Sequence, residues 1–169
     1  MGWNTSGFIV EDATEDEILA LLPDVFTPRD KRLSYEEAAS RSLGPNFAIG
    51  NGTTQDGIKW VQFWDPSGYI AMNDELIAKL STGRRAASYF MSGVKSTYGF
   101  SLFLDSGLQR RIVWSGTEVK EEYGDALDAE TQLPMPEWGH DEASIFHLLF
   151  ALGFPPVEDR TKFRYLELG

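Results

Sequence analysis

The chain has 169 residues, of which 42% are hydrophobic and 13% aromatic, and it has no cysteine. That is enough chain to bury a core unaided, and it excludes disulfides, thiolate nucleophiles, zinc thiolate sites and iron–sulfur clusters. Twenty-six acids against 15 bases give a formal charge of −11, which repels nucleic-acid phosphates and anionic membranes and suits either solubility or a basic partner.

Glu11 and Asp12 come too early for a signal peptide, and no apolar run approaches the roughly 20 residues that span a bilayer. The expected location is the cytoplasm. Met1-Gly2-Trp3-Asn4-Thr5-Ser6 matches a myristoylation pattern, but the same residues open a plausible strand, which is the preferred reading. "WNTSGFIV", residues 3–10, forms that strand. "TEDEILALL" then starts a helix, with Thr14 as N-cap, Glu17 three residues on, and Ile18, Leu21 and Leu22 on one apolar face. Pro23 and Pro28 bracket a loop. Ser34 and Glu37 form a second capping box, opening a short helix that Gly44-Pro45 stops.

"NFAIGNGTTQDGIKWVQFWD" predicts a hairpin with strands over residues 47–50 and 58–65. Alternation places Trp60 and Trp64 on one face of the second strand, and Val61 and Phe63 on the other. A strand apolar on both faces belongs in the middle of a sheet. "DPSG", residues 65–68, is a turn, and Asn73 or Asp74 caps a helix through Leu80 that ends near Gly83. Three further strands follow, in "AASYFMSGV", "GFSLFLD" and "LQRRIVWS", the last two joined by the tight link Asp105-Ser106-Gly107. Residues 117–139 have no clear period and read as an acidic excursion, with an option of strand over 118–123. A last helix spans residues 141–152, and "KFRYLEL" closes the chain as a strand. The prediction is a single α+β domain over residues 1–169. Its sheet is mostly antiparallel, of about six or seven strands, with helices packed on one face.

Charge is uneven along the chain. Residues 116–142 hold nine acids against Lys120 alone, whereas residues 79–114 hold six bases against Asp105 alone. A solvated loop tolerates the acidic run, and a steering patch for a cationic partner would exploit it.

The two histidines, His140 and His147, sit near Glu137, Asp141 and Glu142. Along a helix they lie about two turns apart, or about 11 Å of rise, too far to share one metal ion. The acids suit the first turn of a capped helix, and His147 reads as a partly buried histidine with one hydrogen-bonded nitrogen. "GNGTTQDG", residues 50–57, lacks the lysine and following helix of a phosphate-binding loop. Arg84 and Arg85 could clamp an anion, but their place after a helix end favours a dipole role. Ser67 has no identifiable base. No cofactor or metal site is predicted.

The reading is a small cytosolic binding protein, a monomer or homodimer, that neutralises a basic protein partner. It is of the immunity or inhibitor type, for example against a secreted bacterial toxin. Its candidate contacts are Glu118, Glu121, Glu122, Asp125, Asp128, Glu130 and Trp138, the last lying with Met135 in a proline-bounded loop. Two alternatives stand beside it. One is a small-molecule enzyme using His140 or His147 with Arg84 or Arg85. The other is a non-catalytic subunit of a larger assembly.

Overall fold

The computed structural model describes residues 4–34, 37–38, 47–54, 56–133, 139–154 and 163–169. In chain order the elements are β1 (Asn4–Glu11), α1 (Glu15–Leu21), β2 (Phe26–Leu33), β3 (Phe47–Thr53), β4 (Lys59–Trp64), α2 (Asp74–Leu80) and β5 (Arg85–Ser92). They continue with β6 (Thr97–Leu104), β7 (Gly107–Ser115), β8 (Glu118–Tyr123), a 3-10 turn (Asp128–Gln132), α3 (Glu142–Ala151) and β9 (Phe163–Leu168). All nine strands join one antiparallel sheet in the order β2-β9-β3-β4-β1-β5-β6-β7-β8.

Alternation along the strands builds a core on each side of this sheet. Phe8 and Val10 of β1 point to the side that carries Ile18 of α1 and Leu76, Ile77 and Leu80 of α2. Ile9 points to the other side, with Ile145, Leu148 and Leu149 of α3. The α+β, antiparallel class thus stands, and two details change: the sheet has nine strands, and the helices divide between its faces. A strand such as β4, with Trp60 and Trp64 in one core and Val61 and Phe63 in the other, needs cover on both sides.

The predicted caps explain where the helices start. Thr14 Oγ1 accepts from the amide of Glu17 at 3.3 Å, and Asn73 Oδ1 from that of Leu76 at 3.1 Å. Asp141 Oδ1 accepts from Ala143 N at 2.9 Å. Ser34 and Glu37 exchange both bonds of a capping box, at 3.1 and 3.2 Å, although the helix expected beyond them lies largely outside the described residues. Gly153 leaves α3 with φ +84°, a conformation glycine adopts freely.

One segment departs from expectation, and an option left open by another is settled. The loop expected between Pro23 and Pro28 runs instead into β2, an edge strand. Edge strands tolerate proline and bulges, and the β2–β9 register shifts between Pro28 and Arg32. The acidic segment takes up the strand option over residues 118–123. After Gly116, at φ +62°, the chain turns back as β8 beside β7, and a 3-10 turn follows.

Candidate functional site

The β7–β8 corner collects most of the residues singled out for partner binding. All six residues of β8 are exposed, and β8 is the last strand of the sheet. Beneath it lies Arg110, only 1% exposed, whose guanidinium uses every nitrogen. Its Nε and Nη2 donate to Glu130 Oε2 and Oε1 at 2.9 and 2.6 Å. Nη2 also donates to Glu122 Oε1 at 2.8 Å, and Nη1 donates to the carbonyls of Gly124 and Tyr123 at 2.8 and 3.3 Å. Glu130 Oε2 in turn accepts the amide of Leu127 at 2.8 Å. The hydrogen bonding it donates to Glu130 is the main cause that raises the Arg110 pKa, with burial opposing it, so the group stays charged.

This hub sorts the predicted contacts. Glu130 and Glu122 hold the structure together. Glu118 pairs with Lys120, and Glu121 lies 3.7 Å from Arg111, which also binds Asp74. The side chains of Asp125 and Asp128 have no partner among the described residues, and both are exposed. The acidic and basic stretches of sequence therefore interlock here. With Asp74, seven acids gather around Lys120, Arg110 and Arg111, which leaves four negative charges. Val119 and Tyr123, about half exposed at 50% and 55%, add apolar surface. Trp138 and Met135 lie outside the described residues.

Arg110 was not singled out from sequence, yet a signal was present. In "QRRIVWS", alternation puts Arg110 on the same face as Ile112 and Trp114, both core residues. An arginine on a core-facing position needs a buried anion, and the only dense supply is the following acidic segment.

The two histidines sit in different surroundings. The His140 ring stacks on Trp114 at 4.4 Å between centroids, and its Nδ1 lies 3.0 Å from Ser144 Oγ. Burial lowers its pKa, with Asp141 acting weakly the other way, so the ring is neutral near pH 7. His147 is half-buried, as expected, and its Nε2 has no hydrogen-bond partner among the described residues. Among the described residues no three His, Asp or Glu side chains gather as metal ligands would.

The adjacent arginines are spent internally. Arg84 donates to the α2 carbonyl of Leu80 at 2.7 Å, to Asp12 O at 2.9 Å and to Glu17 at 2.9 Å. Arg85 binds Glu11, donates to Leu152 O at 2.8 Å and lies over the Phe154 ring at 4.7 Å. The bond from Arg84 to the last turn of α2 agrees with the favoured dipole role rather than with the anion clamp. Residues 50–54, 56 and 57 belong to the β3–β4 hairpin, closed by Thr54 N donating to Ile58 O at 2.9 Å. Ser67 donates to the carboxylate of Asp65, two residues away, as part of a turn.

No helix among the described residues is long and apolar enough to cross a membrane. No curated protein and no solved structure matches the chain. A family model does match over residues 10–159, a span that includes β2 to β8 and all three helices, and the chain thereby belongs to the family of unknown function DUF6461.

Proposed function

We propose that this is a binding protein whose β8 edge takes a basic protein partner by strand addition. The observation that carries the reading is the Arg110 hub, which holds the acidic segment in one shape. A loop that must be ordered on binding loses affinity to that ordering, and a preformed edge does not. A free edge strand offers backbone donors and acceptors to an incoming strand, and side-chain contacts on alternate residues add selectivity. Charges on such an edge also turn away like-charged strands, including the protein's own β8. A cationic strand meets no such barrier and is drawn in by Glu121, Asp125 and Asp128.

A partner built to grip nucleic-acid phosphates has the right chemistry, and an inhibitor or immunity role follows from covering that surface. The reading places the encounter in the cytoplasm, to which a cysteine-free chain is suited.

The test is capture from the native cell's lysate at about 0.1 M and about 1 M salt, over which the screening length falls from about 10 Å to about 3 Å. A basic protein should be retained stoichiometrically at low salt and released at high salt. The Glu121→Lys/Asp125→Lys/Asp128→Lys variant, which spares the hub, should weaken its binding at least about tenfold, chiefly through slower association. Equal binding by that variant would remove the acidic edge from the account, and capture of no basic protein would remove the partner.

A further inference from the structure

The opposite end of the sheet presents a different problem in charge. In the β2–β9 register Arg32 stands directly opposite Arg164. Residues opposed in an antiparallel pair project to the same face, and like charges placed this way destabilise the pair. Arg164 shares that face with Asn51 and Lys59, because Arg164 pairs with Ile49, two residues from Asn51, and Lys59 pairs with Thr53. Three cations thus converge where α1 begins.

Only part of this charge is answered within the protein. Arg164 Nη2 donates to Glu15 Oε2 at 3.2 Å, and Asn51 Nδ2 donates to the same oxygen at 2.7 Å. Arg164 Nε is buried and has no partner among the described residues, and neither has the buried Glu15 Oε1. The side chains of Arg32 and Lys59 are exposed and make no ion pair or hydrogen bond among the described residues. A buried donor and a buried acceptor left open beside each other are costly, and so are two opposed guanidinium groups.

These residues line a cavity of about 550 Å³ together with Thr14, Thr53 and a second acid, Asp16, so three cations face two carboxylates there. That volume falls within the range of small-molecule sites, roughly 300–1,000 Å³. Most such sites are apolar, whereas this one is lined by charged and polar side chains, so its ligand is polar. Guanidinium groups bind planar or tetrahedral oxyanions through paired N–H donors. Glu15 Oε1 requires a donor.

We propose that this cavity is a binding site for a small molecule that joins an oxyanion, phosphate or carboxylate, to a hydroxyl or amine donor. Arg32, Arg164 and Lys59 hold the oxyanion, which cancels the repulsion across β2 and β9. Glu15, positioned by Asn51, accepts from the donor. The site lies at the far end of the sheet from β8, so it neither requires nor supports the acidic-edge reading.

Calorimetric titration of the full chain with glucose 6-phosphate and with citrate, at low salt, separates the two oxyanion sources. At least one probe should saturate at one per chain, with Kd of about 1 mM or tighter. The Arg32→Gln/Lys59→Gln variant should weaken that binding at least tenfold. Its melting temperature without ligand should be unchanged or raised, since a like-charge contact is relieved. If the double variant fails to fold, Lys59→Gln alone carries the same comparison, with a smaller loss expected. Saturation by neither probe would overturn the proposal, as would equal binding by the variants.

Discussion

Replacing Arg110 with Ala is expected to destabilise the protein by about 3–5 kcal/mol, the usual cost of breaking a buried ion pair from one side. The reason is what the change leaves behind. Glu130, its side chain 11% exposed, would keep its charge with no cation beside it, and the carbonyls of Tyr123 and Gly124 would lose their donor. Glu122, at 53% exposure, would simply return to water. The loss therefore resides in Glu130, and a second change identifies it. Arg110→Met with Glu130→Leu removes both buried charges together and should recover most of the stability, because apolar replacements of a buried pair are often neutral. Urea unfolding midpoints at constant m-value measure this directly. A loss below about 1 kcal/mol for Arg110→Ala would show the hub to be no more than a surface ion pair.

A loss of similar size, about 3–5 kcal/mol, is expected for Asp65→Ala at the end of β4. Asp65 is fully buried, and its carboxylate organises the turn that leads to α2. Oδ2 accepts from the amides of Ile70 and Ala71 at 2.8 and 2.9 Å. Oδ1 accepts from Ser67 N at 3.0 Å and from the Ser67 hydroxyl. Alanine would leave the buried amides of Ile70 and Ala71 unpaired, and each such group costs about 1–3 kcal/mol. Asparagine keeps one accepting oxygen but aims its NH₂ at the other donors, so Asp65→Asn should fall between wild type and Asp65→Ala. Thermal or urea unfolding of the three proteins gives the order. If Asp65→Asn proved the less stable of the two variants, the hydrogen-bond account of this turn would be wrong.

Much of the fold is legible in the sequence where periodicity and punctuation agree. The β3–β4 hairpin, α2 with its Asn73 cap and α3 with its Asp141 cap each have turn chemistry beside a clear apolar pattern. The two faces of β4 follow from alternation alone. β2 is hidden because its core-facing residues, Phe26 and Leu33, flank a proline and a charged stretch that together resemble a loop. β8 is legible only as an option, a strand over residues 118–123, because every one of its residues is exposed and no apolar alternation marks it.

The sites divide in the same way. The acidic segment is plain as composition, but its division into structural and outward-facing acids depends on Arg110, which a core-facing position in "QRRIVWS" could have flagged. The cationic cavity has no local signature. Arg32 and Arg164 come together only because β9 inserts between β2 and β3, a pairing between residues 132 positions apart. Hydrophobic period and capping rules carry no information about such a pairing.

Hydrogen exchange of the protein with and without its captured partner tests the central claim most directly. In the free protein the outward amides of Glu118–Tyr123 should exchange fast, since they have no strand beside them among the described residues. On adding the partner, those amides should become protected while the amides of β4 and β1 in the sheet centre stay unchanged. Protection that appears elsewhere, with β8 still exchanging at its free rate, would contradict strand addition at this edge.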